Sequence, residues 1–129
     1  MLLVAIPRIG PEILAEQARL ALRDREFASA FDLARRAGRS DPGNPEAHYV
    51  AGEAARYLAL ESGTAGQALD LRRQAVAAFE EGLRAFPQDV RLLLKHGQIL
   101  DDLGEATKAD ESFARALAAA PNSGIVHAC

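Results

Sequence analysis

Apolar and small residues recur along this chain at spacings of three and four, which gathers them on one side of an α-helix. The period holds through PEILAEQARLAL, ASAFDLARRAGRS, PEAHYVAGEAARYL, AVAAFEEGLRAF, VRLLLKHGQILDDL and ADESFARALAAA, with polar residues filling the other side. These segments fall into pairs. RDRE, ESGTAG and DLGE separate the members of a pair, and SDPGNP, FPQD and APNS close it. Proline lacks a backbone donor and disfavours helix in the residue before it, so the closing breaks end a helix outright. Alanine makes up about a fifth of the chain, while β-branched and aromatic residues are sparse. That balance favours closely packed helices over a sheet.

The pairs also repeat one another. AVAAFEEGLRAFPQD sets out Ala75, Phe79, Gly82, Leu83 and Pro87, and 34 positions on Ala109, Phe113, Ala116, Leu117 and Pro121 stand at the same intervals. Ala30, Ala34, Ala37 and Pro42 keep the register upstream, and Ala18, Gly52 and Gly97 mark equivalent points of the first helices. Three units follow: residues 11–44, 45–89 and 90–123. The pairs Ala18/Ala30, Gly52/Ala75 and Gly97/Ala109 are expected where two antiparallel helices cross, with Phe79 and Phe113 beside the crossing. A glycine in mid-helix costs about 1 kcal/mol against alanine, so Gly52 and Gly97 need such a packing reason. Ala30 to Ala75 spans 45 positions and Ala18 to Gly52 only 34, which leaves eleven extra residues in the second unit. Eleven residues are about three helical turns. Shared between two helices with SGTAG as the turn, they predict a hairpin projecting beyond its neighbours.

With those positions in register, the chain resembles the tetratricopeptide repeat family over nearly all its length. The resemblance implies an all-α, right-handed solenoid of helical hairpins in three units, the second carrying the eleven-residue extension. Leu14, His48 and Leu93 stand where the family most often has tryptophan, and Ala21, Ala55 and Leu100 where it often has tyrosine, which suggests a thinner core.

In a solenoid each unit buries one face against the next and the stack presents a concave surface. His48, Ala51, Gly52 and Ala55 point at the second helix of their unit. At about 100° per residue, Glu46, Tyr49, Glu53, Arg56 and Tyr57 lie opposite. By resemblance that side lines the groove in which family members hold a peptide or partner helix. Arg91, Leu94, Gln98, Asp101 and Asp102 occupy the same places in the third unit, with Lys95 beside them, and Glu12, Ala15, Arg19, Leu22 and Arg23 in the first. Tyr49 and Tyr57 are the only two tyrosines of the chain, and tyrosine is a favoured interface residue. One family branch grips a partner's C-terminal carboxylate with basic residues at the places of Arg91 and Lys95. Its lysine and two asparagines of the earlier units fall on Ala15, Arg19 and Val50 here, with Arg19 a substitute donor.

Length and charge narrow the functional classes. The 129 residues suit one domain, and a net charge of -3 gives no general reason to expect nucleic acid or an acidic membrane as partner. No apolar run approaches the roughly 20 residues of a membrane span. The start, MLLVAIPRIG, has a short apolar run without a basic stretch before it, so residues 1–10 read as an apolar tail and not a secretory signal. A cytoplasmic location is expected. His48, His96 and His127 lie on three different helices without the local spacing of a zinc site. Arg35, Arg36, Arg39, Arg72 and Arg73 read as a solvated strip on the second helices. There is no phosphate loop, nucleophile elbow or paired-cysteine motif. No catalytic, metal or cofactor site is expected. The reading is a non-catalytic module that binds a protein or peptide; the alternatives are a repeat segment of a larger enzyme or a self-assembling scaffold. Residues 124–129, ending at Cys129, read as the start of an incomplete fourth unit or a C-terminal tail. They would leave an apolar edge on Phe113 and Leu117 through which homodimers form.

Overall fold

Three antiparallel helix pairs make up the structure: α1 (Pro11–Arg23) with α2 (Phe27–Ser40), α3 (Pro45–Glu61) with α4 (Ala65–Ala85), and α5 (Val90–Asp102) with α6 (Ala106–Ala119). This computed structural model describes residues 10–120. The apolar tail up to position 9, His127, Cys129 and the beginning of a fourth unit lie outside the described residues. Among the described residues there is no strand.

Local chemistry sets the helix ends. Asn44, Thr64 and Asp89 cap α3, α4 and α5, their side chains accepting the backbone N–H of Glu46, Gln67 and Leu92. Such caps satisfy donors that have no partner inside the helix. The α1–α2 and α5–α6 turns share one geometry. Arg25 and Gly104 both take a left-handed conformation, at φ 62° and 78°. The following N–H groups, of Glu26 and Glu105, then reach back to the carbonyls of Ala21 and Leu100 at 2.8 and 2.9 Å.

The extra residues of the second unit are all helical. α1 and α5 have 13 residues and α3 has 17, while α2 and α6 have 14 and α4 has 21. The lengthening thus falls as four residues on α3 and seven on α4.

Each second helix also packs on the first helix of the next unit, α2 on α3 and α4 on α5. Alanine dominates the first contacts, with Ala18, Ala30, Ala34 and Ala54 closing around Val50. Larger side chains fill the later ones, where Phe79, Leu92, Leu93 and Ile99 are fully buried. At the glycine crossings the phenylalanines approach most closely. Ala75 and Ala109 are buried, yet the atoms directly over Gly52 and Gly97 belong to the rings of Phe79 and Phe113. The reason is reach: a phenylalanine one helical turn after the alanine brings its ring over the opposing glycine. Gly82 has the same role on α4, where a Cβ would meet His48 and Leu92 at 2.9 Å.

Candidate partner-binding groove

Because α1 touches α3 and α3 touches α5, the three first helices form one continuous inner face. Its chemistry is dominated by ion pairs, within helices and between them. Arg91 of α5 donates to Glu46 of α3 at 2.9 Å, and its guanidinium carbon stands 3.8 Å from the centre of the Tyr49 ring. A cation over an aromatic face is attracted by the ring's quadrupole. Tyr49 is half-buried and packs into the core beneath. Burial, and the negative charge of Glu53, push the Tyr49 phenol above the ordinary tyrosine value, with Arg91 opposing.

Glu53 departs from the open position its spacing suggests. It is only 4% exposed, because Arg56 closes on it with two hydrogen bonds of 3.1 and 3.3 Å and Lys95 arrives from α5 at 3.4 Å. A buried carboxylate needs such partners. The hydrogen bonds to Glu53 hold the Arg56 guanidinium above its ordinary pKa. Arg19 of α1 forks onto Glu16 of its own helix, at 2.6 and 3.0 Å.

The two tyrosines are not equivalent. Tyr57 stacks on Phe27 at the start of α2, ring centres 4.7 Å apart and 8° from parallel. Arg25 caps the far face of Phe27 and Arg56 lies over Tyr57, at 5.3 and 4.8 Å. Tyr57 therefore ties the end of α3 to the start of α2. Leu94 is half-buried against the core, and Gln98 is exposed. A cleft of about 330 Å³ lies beside Gln98, lined by Arg56, Lys95, Asp101, Asp102 and Phe113.

The histidines serve the packing. His48 is buried and donates its Nε2–H to the Pro42 carbonyl at 2.8 Å, with the Glu81 carboxylate 3.9 Å from Nδ1. It floors a cleft of about 190 Å³ between α2 and α4. His96 links three helices, with Nε2 3.2 Å from Glu80 of α4 and Nδ1 2.7 Å from Ser112 Oγ of α6. In a neutral ring Nε2–H goes to the carboxylate and Nδ1 accepts from the hydroxyl. This serine–histidine–glutamate chain escaped the sequence reading, because its members are 16 positions apart on separate helices. Ser112 is 3% exposed, so its oxygen is closed off from any substrate. The chain holds helices together. Among the described residues no group of three or more metal-ligating side chains forms, and no helix is long and apolar enough to cross a membrane.

No protein-family model and no curated protein matches the chain. Solved structures do. A thermophilic TPR protein of Thermus thermophilus is 26% identical, with a TM-score of 0.78 over 84% of this chain. The chain spans just over half of that protein, 56% of its length. The first TPR of Spaghetti, bound to an HSP90 peptide, is 15% identical with a TM-score of 0.75, over 97% of this chain and 90% of its own. The Yersinia enterocolitica type III secretion translocator chaperone SycD is 16% identical with a TM-score of 0.75, over 97% and 86%. At such identities the last two likenesses speak for the fold alone. The three solved structures, with the repeated glycine, alanine, phenylalanine and proline positions of the sequence, show a TPR-like fold of three helical hairpins, the middle one lengthened.

Proposed function

We propose that this chain is a non-catalytic protein-interaction module that holds a peptide or partner helix against the inner face of α1, α3 and α5. One observation carries the reading: the Tyr49–Arg91–Glu46 assembly stands ready-made at the middle of that face. Side chains already fixed in place lose little freedom when a partner arrives, and tyrosine with arginine offers broad amphipathic contact. The peptide-bound Spaghetti domain supports the same use of the fold. The charge arrangement speaks against a carboxylate clamp. Arg91 and Lys95 are paired to Glu46 and Glu53, so an anionic chain end would have to displace the protein's own carboxylates. A pull-down comparing the intact chain with the Tyr49→Ala, Arg91→Ala double variant tests the proposal. Retention of the partner by a folded double variant would defeat it.

A second reading has an observation of its own. Leu117, on the last helix, is half exposed, which favours self-association through that edge. Light scattering with reductant present distinguishes the two: a strict monomer at millimolar concentration leaves only the groove.

A further inference from the structure

We infer that the segment bound in the groove is apolar and basic: a large apolar side chain against Leu60 and Tyr57, and a lysine or arginine against Asp101 and Asp102. This rests on the groove reading above and specifies its partner.

The apolar half comes from the lengthened hairpin. Four large apolar side chains stand exposed among the described residues: Ile13, Leu60, Leu69 and Leu117. Ile13 and Leu117 belong to the first and last helices, where a solenoid always leaves a flank open. The other two are on the extension, beside its turn. At about 100° per residue, Leu60 falls within about 20° of Tyr49 on the α3 surface. It therefore continues the groove line one turn beyond Arg56. α1 and α5 are four residues shorter than α3, so no neighbouring first helix reaches up to cover Leu60, which is 64% exposed. Tyr57 beside it is half-buried, held in place by Phe27.

The basic half comes from counting which charges already have partners. Arg19 is paired to Glu16, Arg91 to Glu46, and Arg56 and Lys95 both to Glu53. Asp101 and Asp102 are exposed and have no ion-pair partner among the described residues. They line the cleft shared with Arg56, Lys95 and Gln98. Glu53, Asp101 and Asp102 outnumber Arg56 and Lys95 there by one, so the surplus charge at that end of the groove is negative, and complementary potentials select the partner.

Amide-resolved NMR titration of the full chain with three short synthetic peptides tests this. One carries leucine and lysine at helical spacing; the second replaces its lysines by glutamate; the third replaces its leucines by serine. The leucine–lysine peptide should move the amides at the end of α3 and the end of α5, and bind at least about tenfold tighter than the other two. Leu60→Ser, and separately Asp101→Asn with Asp102→Asn, should each weaken it about tenfold while the melting temperature stays unchanged. Equal or tighter binding of the leucine–glutamate peptide, still mapped to α3 and α5, would overturn the inference and leave the groove reading intact. Shifts confined to α2 and α4 would defeat the groove reading itself. Failure of the leucine–lysine peptide to bind at millimolar concentration, or indifference to both sets of substitutions, would overturn the inference.

Discussion

Replacing Gly52 by alanine sets a methyl group where Phe79 already lies. A Cβ on Gly52 would meet three ring carbons of Phe79, none of them farther than 2.6 Å, whereas carbons in contact rest about 3.5–4.0 Å apart. Phe79 is fully buried, so its ring has no open side to swing toward and α3 and α4 must part. Overpacking of this kind costs about 1–3 kcal/mol. Alanine's better helix propensity returns about 1 kcal/mol at most. The expected outcome is a net loss of up to about 2 kcal/mol, which for a domain of this size lowers the melting temperature by as much as roughly 8 °C. Gly66 supplies the control, since it lies in the first turn of α4 with nothing within 4 Å of an added Cβ. Gly66→Ala should raise stability by up to about 1 kcal/mol. Thermal and urea melts followed by circular dichroism read both variants. A Gly52→Ala protein that melts at or above the parent, beside a well-behaved Gly66→Ala, would refute the ring-over-glycine packing.

Tyr57→Ala should destabilise the fold by about 0.5–1.5 kcal/mol beyond its lost area through the Phe27 stack; urea melts showing no loss beyond the area term would contradict the geometry. Glu53→Ala should cost about 1–3 kcal/mol, since Arg56 and Lys95 lose the carboxylate between them; a change within error would mean that this ion cluster adds nothing to stability. Folded Tyr49 holds its proton past the ordinary tyrosine value of 10.0, so its contribution to stability is complete below that pH and is lost as pH rises beyond it. Alkaline absorbance titration should find late ionisation that vanishes in Tyr49→Phe, and its persistence would reject the assignment. Limited proteolysis should nick first between Gly63 and Gly66, all exposed; first cleavage at another described turn would count against the projecting hairpin.

Much of this architecture could be read from local chemistry alone. Helical period, proline and glycine breaks and the offset between repeats are properties of neighbouring residues, and they carried the six helices and the eleven-residue extension. Contacts between units were less legible. Glu53 looks open on its own helix and is buried because Lys95 comes from a helix 42 positions away. Tyr57 shares the groove side of α3 with Glu53 and Arg56, yet it stacks on Phe27 of α2, a partner that spacing along α3 does not reveal. The rings over Gly52 and Gly97 depend on side-chain direction one turn beyond the alanines that mark the repeat. Among the groove residues, spacing alone placed Glu46, Tyr49 and Arg91 on one face, and their mutual contact followed from the stacking of α3 on α5.

The claim that the inner face is the recognition surface is tested most directly by site-specific photo-crosslinking. A photoreactive residue is placed at position 49 on the inner face and, in a separate protein, at position 77 on the exposed side of α4. Both are irradiated with the partner recovered by pull-down. A covalent adduct from position 49, and none from position 77, is the predicted result. An adduct from position 77 alone would contradict it.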